Sequence, residues 1–445
     1  MSKKIRAFIG YLKVLVNGET LGGGFYRFLS VHACFLVFYG LPHVFINTML
    51  LGQTGDVKVV VMYNATFFLG SAAAMLAGAG PAQAERLLRD TYRVTEGRRR
   101  LAMDCAGASL AALRSLAPGE VSLYVGIPFC PTRCAYCSFV SADVGRALKL
   151  IDPFLDALCR ELAATGAMLA DAGLRVRTVY FGGGTPTTLS APQLDRLMGE
   201  LADHIDLSGC TEYTVEAGRP DTITAEKLAV LARRGCSRVS VNPQTMQDAV
   251  LERMGRAHRA DDILRAYALA RESGIGCINM DLIAGLPGDS AEGFRASLEQ
   301  VLDLGPENVT VHTLALKKGS RLMEEGGGLP SGAAVADMLD FAWAALRGAG
   351  QRPYYLYRQK YMSGSFENVG WCRPGAESLY NICMMEELHT IVSLGGGGVT
   401  KLVDRATGYI ERLANAKYPQ EYIQKIDAIC ADKGRVAQFY AAHGR

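Results

Sequence analysis

The chain has 445 residues, 49% of them apolar and 20% charged, so it has ample material for a hydrophobic core in two or three domains and wholesale disorder is excluded. Lys plus Arg total 47 against 44 acidic residues, and the net charge of +3 is too small to mark a nucleic-acid binder. Twelve cysteines spread over this length do not make the dense framework of a small secreted domain, and no cleavable signal is expected at the start. A reducing, cytoplasmic setting with cysteines available as ligands is the expectation.

Residues 59–80 form an uncharged run long enough to span a hydrocarbon layer. Its first half is β-branched and its second half alanine-rich, so a buried strand followed by a buried helix explains it equally well. A small soluble domain over 1–117 is favoured, with membrane association the less favoured alternative. From Glu85 to Arg100 the composition turns charged, and Arg98, Arg99 and Arg100 read as a solvated face. Pro118 and Gly119 mark a boundary.

From Ser122 onward, short β-branched runs alternate with helical patterns. Strands are expected over 122–129, 176–181, 212–216, 238–241, 277–283 and 308–315. Helices are expected over 152–170, 191–205, 225–234, 247–272 with a break near His258, 292–302 and 333–346, and a further one over 377–390. Six such units predict a parallel sheet covered by helices, either an open curved β/α barrel or a doubly wound sheet.

The unusual residues fall just after the strands. The first strand runs into Gly126-Ile127-Pro128-Phe129-Cys130, and Cys134 and Cys137 follow in a C-x3-C-x2-C loop. Three thiolates so close in sequence can converge on one metal centre, yet three complete neither a zinc site nor a fully protein-ligated four-iron cluster. The missing ligand leaves an iron open to a substrate or cofactor. The second strand runs into Gly182-Gly183-Gly184-Thr185, which permits a tight turn and a close approach of ligand to backbone. Polar residues accompany the later strands. Glu216 can pair with a cofactor or a basic partner, Arg238 can hold a carboxylate bidentately, Gln244 can hydrogen-bond without charge, and Asp281 can accept from ribose hydroxyls.

The cysteine spacing, with an aromatic residue directly before the third cysteine, resembles the radical S-adenosylmethionine superfamily. That resemblance implies a [4Fe-4S] cluster on Cys130, Cys134 and Cys137, whose open iron takes the amino and carboxylate groups of S-adenosylmethionine. It implies that Gly182, Gly183, Gly184 and Thr185 receive the methionyl amino end, and that Glu216, Arg238, Gln244 and Asp281 complete the cofactor site. The implied fold is a partial (β/α)6 TIM-like barrel over 118–349, with a C-terminal substrate-facing domain over 350–445.

A closer match, in Tyr124-Val125-Gly126-Ile127-Pro128-Phe129-Cys130 and the loops that follow, is to the oxygen-independent coproporphyrinogen III oxidases. The stretches 354–360, 367–370, 373–375 and 395–398 are similar to the coproporphyrinogen dehydrogenase branch of that family. Tyr124 is then implied to cover the cluster as a catalytic residue. Where the family often has a histidine two residues after the tyrosine, this chain has Gly126, so any proton or electron transfer by that histidine must use another group here. The implied reaction is the oxidative decarboxylation of two propionates of coproporphyrinogen III to vinyl groups, giving protoporphyrinogen IX, with a one-electron donor such as flavodoxin or ferredoxin. Such a substrate needs aromatic walls and cations, which Tyr357, Lys317, Arg321, Arg358 and Lys360 are expected to supply. A heme-binding chaperone of the same family, or a radical porphyrin methyltransferase or ring-opening enzyme, are the alternatives.

Overall fold

The structure, a computed structural model, describes Gly78 and residues 80–444, except 138–146, 318, 326–328, 360–361 and 363–365. All of these belong to one compact unit. The apolar run expected to be a buried strand and helix, or a membrane segment, lies outside the described residues save for Gly78 and Gly80. Among the described residues no helix is long and apolar enough to cross a membrane.

Six parallel strands lie side by side in chain order: β1 (Glu120–Ile127), β2 (Arg175–Gly183), β3 (Glu212–Glu216), β4 (Arg238–Ser240), β5 (Cys277–Ala284) and β6 (Asn308–Thr313). Alternation along each strand sorts the side chains by chemistry. Val121, Leu123, Val125 and Ile127 of β1, Val239 of β4 and Ile278, Met280 and Leu282 of β5 are buried on the side that the helices cover. Tyr180, Glu216, Ser240, Asp281 and His312 lie on the opposite face and line one interior cavity. The sheet thus has a greasy outside and a polar inside, as a curved sheet with a functional interior requires.

The helices sit close to their expected places, and the break near His258 is real, separating Asp248–Arg253 from Ala260–Glu272. The helix Ala191–His204 opens with a capping box, in which Gln193 N donates to Ser190 Oγ and Ser190 N donates to Gln193 Oε1 (3.4 and 2.9 Å). The helix Ile151–Ala172 ends on Gly173, whose φ of 61° gives the left-handed cap.

The C-terminal region is not the separate domain expected over 350–445, because its strands extend the same sheet at both edges. β7 (Arg352–Tyr357) and β8 (Asn368–Cys372) add antiparallel beyond β6. β9 (Ile391–Gly395) returns to pair parallel with β1, followed by β10 (Val399–Val403) and β11 (Ile410–Ala414). Between them the helix Leu379–Glu386 is shorter than expected. Glu387 takes a left-handed φ of 52° and ends it. Its start is pinned under β3, where Ser378 Oγ and Leu379 N donate to the two oxygens of Glu212 (2.7 and 2.6 Å).

The boundary at 117/118 also moves. Ala108 and Ala112 of the helix Glu96–Ser115 pack on Tyr354, Tyr355, Cys372 and Ile382, which joins that helix to the main unit. Arg98 is correspondingly not on a solvated face. It is buried, with its guanidinium 3.7 Å from the Trp343 ring centre and paired with Glu367, and burial pushes its pKa down to about 9. Arg99 is half-buried on the Val94 carbonyl, and Arg100 alone of the three is exposed.

Candidate active site

The three cysteines follow β1 in a loop held by two neighbouring segments and by a bond of its own. Ala135 N donates to Met254 O, Leu322 N to Ala135 O, and Cys137 N to Cys134 O (2.9, 2.9 and 3.1 Å). Ala135 and Tyr136 pack on Met254, Leu286, Leu314 and Leu322, so apolar burial reinforces those bonds. Cys134 is buried, Cys130 and Cys137 are half-buried, and none of the three is in a disulfide. Burial pushes the Cys130 thiol up to about 11, partly offset by Thr185 Oγ1 at 3.3 Å. A buried thiolate needs a cation or a metal beside it. Among the described residues no three Cys, His, Asp or Glu side chains converge tightly enough for one bare ion. Thiols that share a cluster need only reach its separate iron corners.

The glycine loop docks on the cysteine loop through its backbone. Gly184 N donates to Ile127 O and Thr185 N to Phe129 O, both at 2.8 Å. A Cβ on Gly184 would lie 2.4 Å from Phe129 O, and Gly183 has a φ of +107°. A side chain on Gly182 would meet Tyr180, Glu216 and Tyr124 at 2.9 to 3.2 Å. The glycines are therefore what lets β2 close against the cysteine loop. Tyr124 stacks with Tyr180 and Tyr380, with ring centres 6.2 and 6.4 Å away, and its hydroxyl points toward Gly183.

Glu216 accepts from Tyr180, and burial outweighs that bond and lifts its pKa to about 7. Asp281 behaves oppositely. Burial pushes it up, but His312 and Asn279 outweigh burial and hold its carboxyl below the usual range. Gln244 has a left-handed φ of 69°, kept by backbone bonds to Asp281 O and from Ile283 N, and its buried Oε1 has no partner. Gln244 lines a cavity of about 250 Å³ that reaches Cys137. A strained residue carrying an unmet acceptor fits a site shaped for a polar ligand.

Arg238 departs from its expected role. It opens β4, and its guanidinium is bonded to Asn308, Cys277 Sγ (2.9 Å) and the carbonyls of Ala376 and Glu377 (3.0 and 3.2 Å). It anchors the C-terminal segment. The arginines beside the cysteine loop are two that sequence reasoning missed. Arg219 Nη1 lies 3.8 Å from Cys134 Sγ, and Arg219 grips Asp221 at 3.0 and 2.9 Å. Arg256 bonds Tyr136 Oη, Gly218 O and Asn242 O (3.1, 3.2 and 2.8 Å), with His258 next to it. Burial pushes Asp221 up, but bonds from His258 and Arg219 hold it below the carboxylate range.

Of the expected substrate residues, Lys317 and Tyr357 line the cavity beside Cys137. Arg321 does not. It is exposed and paired with Glu325 at 3.5 Å. Arg358 is also outside the lining and bears on Arg98, because one residue past Tyr357 the side chain points to the other face. Lys360 lies outside the described residues. Gly126 has a physical reason: a Cβ there would lie 2.9 Å from Gly396 O, so the loop after β9 occupies the place of a side chain.

An open three-thiol loop and a backbone glycine cradle, at the C-terminal rim of a parallel partial barrel, define a radical S-adenosylmethionine protein, and the Radical SAM superfamily model matches residues 124–301. The oxygen-independent coproporphyrinogen-III oxidase-like protein HemZ of Bacillus subtilis (strain 168) is 40% identical over 361 residues, covering 80% of this chain and 72% of that one. The heme chaperone HemW of the same organism is 31% identical over 309 residues, covering 67% and 77%. The structure of coproporphyrinogen III oxidase (HemN) from Escherichia coli superposes with a TM-score of 0.58 at 25% identity, covering 72% of each chain. The chain belongs to the oxygen-independent coproporphyrinogen III oxidase-like family of radical S-adenosylmethionine proteins. Membership brings with it a [4Fe-4S] cluster and S-adenosylmethionine as cofactors.

Proposed function

We propose that this chain converts two propionates of coproporphyrinogen III to vinyl groups, giving protoporphyrinogen IX. The observation that carries the reading is the cavity of about 250 Å³ that joins Cys137 and Gln244 to His312, Lys317 and Tyr357, placing polar and basic groups beside the cluster loop. Likeness to HemZ and HemN supports the substrate class. In this reading Cys130, Cys134 and Cys137 hold the cluster, and Gly182, Gly183, Gly184 and Thr185 offer backbone groups to the methionyl end of S-adenosylmethionine. Glu216, Gln244 and Asp281 surround the nucleoside, and Arg256 braces the cysteine loop through Tyr136. Tyr124 packs beneath Gly183 and supports the cradle from the barrel side.

When bound, the cluster and S-adenosylmethionine supply a reductively generated 5'-deoxyadenosyl radical that removes a hydrogen from a propionate β-carbon. Loss of carbon dioxide, and of one electron to an external one-electron acceptor, would then leave the vinyl group. The protein's part is to fix the propionate against that radical and exclude side reactions. The reducing electron comes from a donor such as flavodoxin or ferredoxin. A cytoplasmic location belongs to this reading, since an open iron–sulfur site needs a reducing compartment.

Likeness to HemW favours a second reading, a chaperone that binds heme without changing it. Anaerobic reconstitution followed by mass analysis of nucleoside and tetrapyrrole separates the two. Decarboxylation removes carbon dioxide twice, with a singly decarboxylated intermediate at early times. Unchanged coproporphyrinogen III under conditions that cleave S-adenosylmethionine, together with tight heme binding, replaces the enzyme reading with the chaperone.

A further inference from the structure

One inner-face residue lines the cavity named above without yet having a role of its own. His312, on β6, lines both the cavity of about 250 Å³ that reaches Cys137 and the one of about 170 Å³ behind it. Its Nε2 lies 3.6 Å from Asp281 Oδ2, and its Nδ1 lies 3.3 Å from Tyr357 Oη. Side chains from β5, β6 and β7 therefore form a chain of contacts that ends at Tyr357, which lines both cavities. Lys317 is the other basic side chain of that cavity's described lining.

We propose that His312 and Tyr357, with Lys317 in the same cavity, form the seat for one propionate carboxylate of the tetrapyrrole, with Asp281 as the positioning residue. The proposal rests on the tetrapyrrole reading and deepens it by naming the anchor.

Asp281 Oδ1 accepts from Asn279 at 2.8 Å, which leaves Oδ2 facing the imidazole Nε2 at 3.6 Å and orients the ring. A propionate arriving beside Tyr357 accepts a hydrogen bond from the hydroxyl, whose oxygen lies 3.3 Å from His312 Nδ1. Lys317 supplies a positive charge in the same cavity. A carboxylate seated there meets a cation and a hydroxyl donor, which is what seating charge in a half-buried cavity requires. The carboxylate is bonded to the carbon next to the one that loses hydrogen, so fixing it at His312 also fixes that hydrogen at the Cys137 end.

The test uses coproporphyrin III, the stable oxidised macrocycle with the same propionates, and its tetracarboxamide, titrated by fluorescence into anaerobically reconstituted protein. His312→Phe is expected to weaken binding of the acid about ten- to hundredfold, the worth of a charged hydrogen bond, and to leave amide binding unchanged. His312→Gln, which keeps a donor, recovers part of the loss, and S-adenosylmethionine affinity stays at the wild-type value in both. Equal weakening for acid and amide would overturn the proposal, as would weakened S-adenosylmethionine binding with porphyrin binding intact, which would make His312 only a support for Asp281. A wild type that binds coproporphyrin III through His312 but never removes mass from coproporphyrinogen III overturns the decarboxylase reading and leaves the carboxylate seat standing.

Discussion

Arg219 brings a buried cation to 3.8 Å from Cys134 Sγ, and its two bonds to Asp221 fix it there. A reduced cluster on three thiolates is more negative than the oxidised one, so a guanidinium at this place favours reduction. Two unit charges about 4 Å apart at an effective dielectric of about 20 interact by about 4 kcal/mol. An added electron shared over a four-iron centre puts roughly a quarter of its charge near Cys134, which leaves about 1 kcal/mol, or about 40 mV for a one-electron couple. Arg219→Gln should therefore lower the midpoint potential by about 40 mV, and Arg219→Lys, which keeps the charge, by less. The assay is a redox titration followed by electron paramagnetic resonance on reconstituted protein, with iron content measured in parallel. A midpoint indistinguishable from wild type in Arg219→Gln at full iron content refutes the electrostatic reasoning.

Gly126→His, which restores the family's histidine, should cost about 1–3 kcal/mol in urea unfolding, because its Cβ would meet Gly396 O at 2.9 Å and displace the loop after β9. Wild-type stability in that variant would show that the loop yields freely. Glu216 has a folded pKa of about 7 against an ordinary 4.5, because burial favours its neutral form. The folded state holds a proton that the unfolded state releases, so stability falls as pH rises from 4.5 to 7 and is level above that, by up to about 3 kcal/mol. Glu216→Gln should remove that slope in apo-protein denaturation curves at pH 5 and pH 8, and an unchanged difference between the two pH values would reject the assignment.

The parallel strands and the cysteine loop were legible because each is written locally, in β-branched runs and in a spacing of three thiols. The polar interior was legible only in part. Tyr124, Glu216, Gln244 and Asp281 stand in recognisable motifs, but Arg219, Arg256 and His312 reach the site through contacts with residues far away in sequence. Arg219 meets Thr132 and Cys134, and Arg256 meets Tyr136. His312 was hidden by its setting, a threonine- and valine-rich strand in which one ring reads as filler. Alternation was the usable signal: Thr310 and His312 share the face that Asp281 presents on the neighbouring strand, where Asp281 pairs with Thr310. Arg238 misled because a strand's first and last residues look alike in sequence yet lie at opposite ends of the barrel. The C-terminal strands misled because β9 pairs with β1 across most of the chain, a pairing that no local pattern encodes.

That distant pairing also accounts for the position where this chain departs from its family's pattern. β9 lies parallel to β1 with Gly395 opposite Gly126, and a Cβ on Gly395 would lie 2.2 Å from Gly126 O. Glu161 holds the turn in place. Fully buried, it accepts from Gly395 N at 2.8 Å, from Asn415 Nδ2 at 2.8 Å and from Tyr422, and pairs with Lys433 at 2.7 Å. Removing one partner from such a pair costs about 3–5 kcal/mol, so the turn is firmly seated and the space over Gly126 stays filled. A side chain at 126 is thus excluded by packing from the C-terminal return. An imidazole stands instead on β6, where Asp281 and Tyr357 flank it. If chemistry near the cluster calls for a histidine in this chain, the fold leaves His312 as the one on the described cavity lining that reaches Cys137.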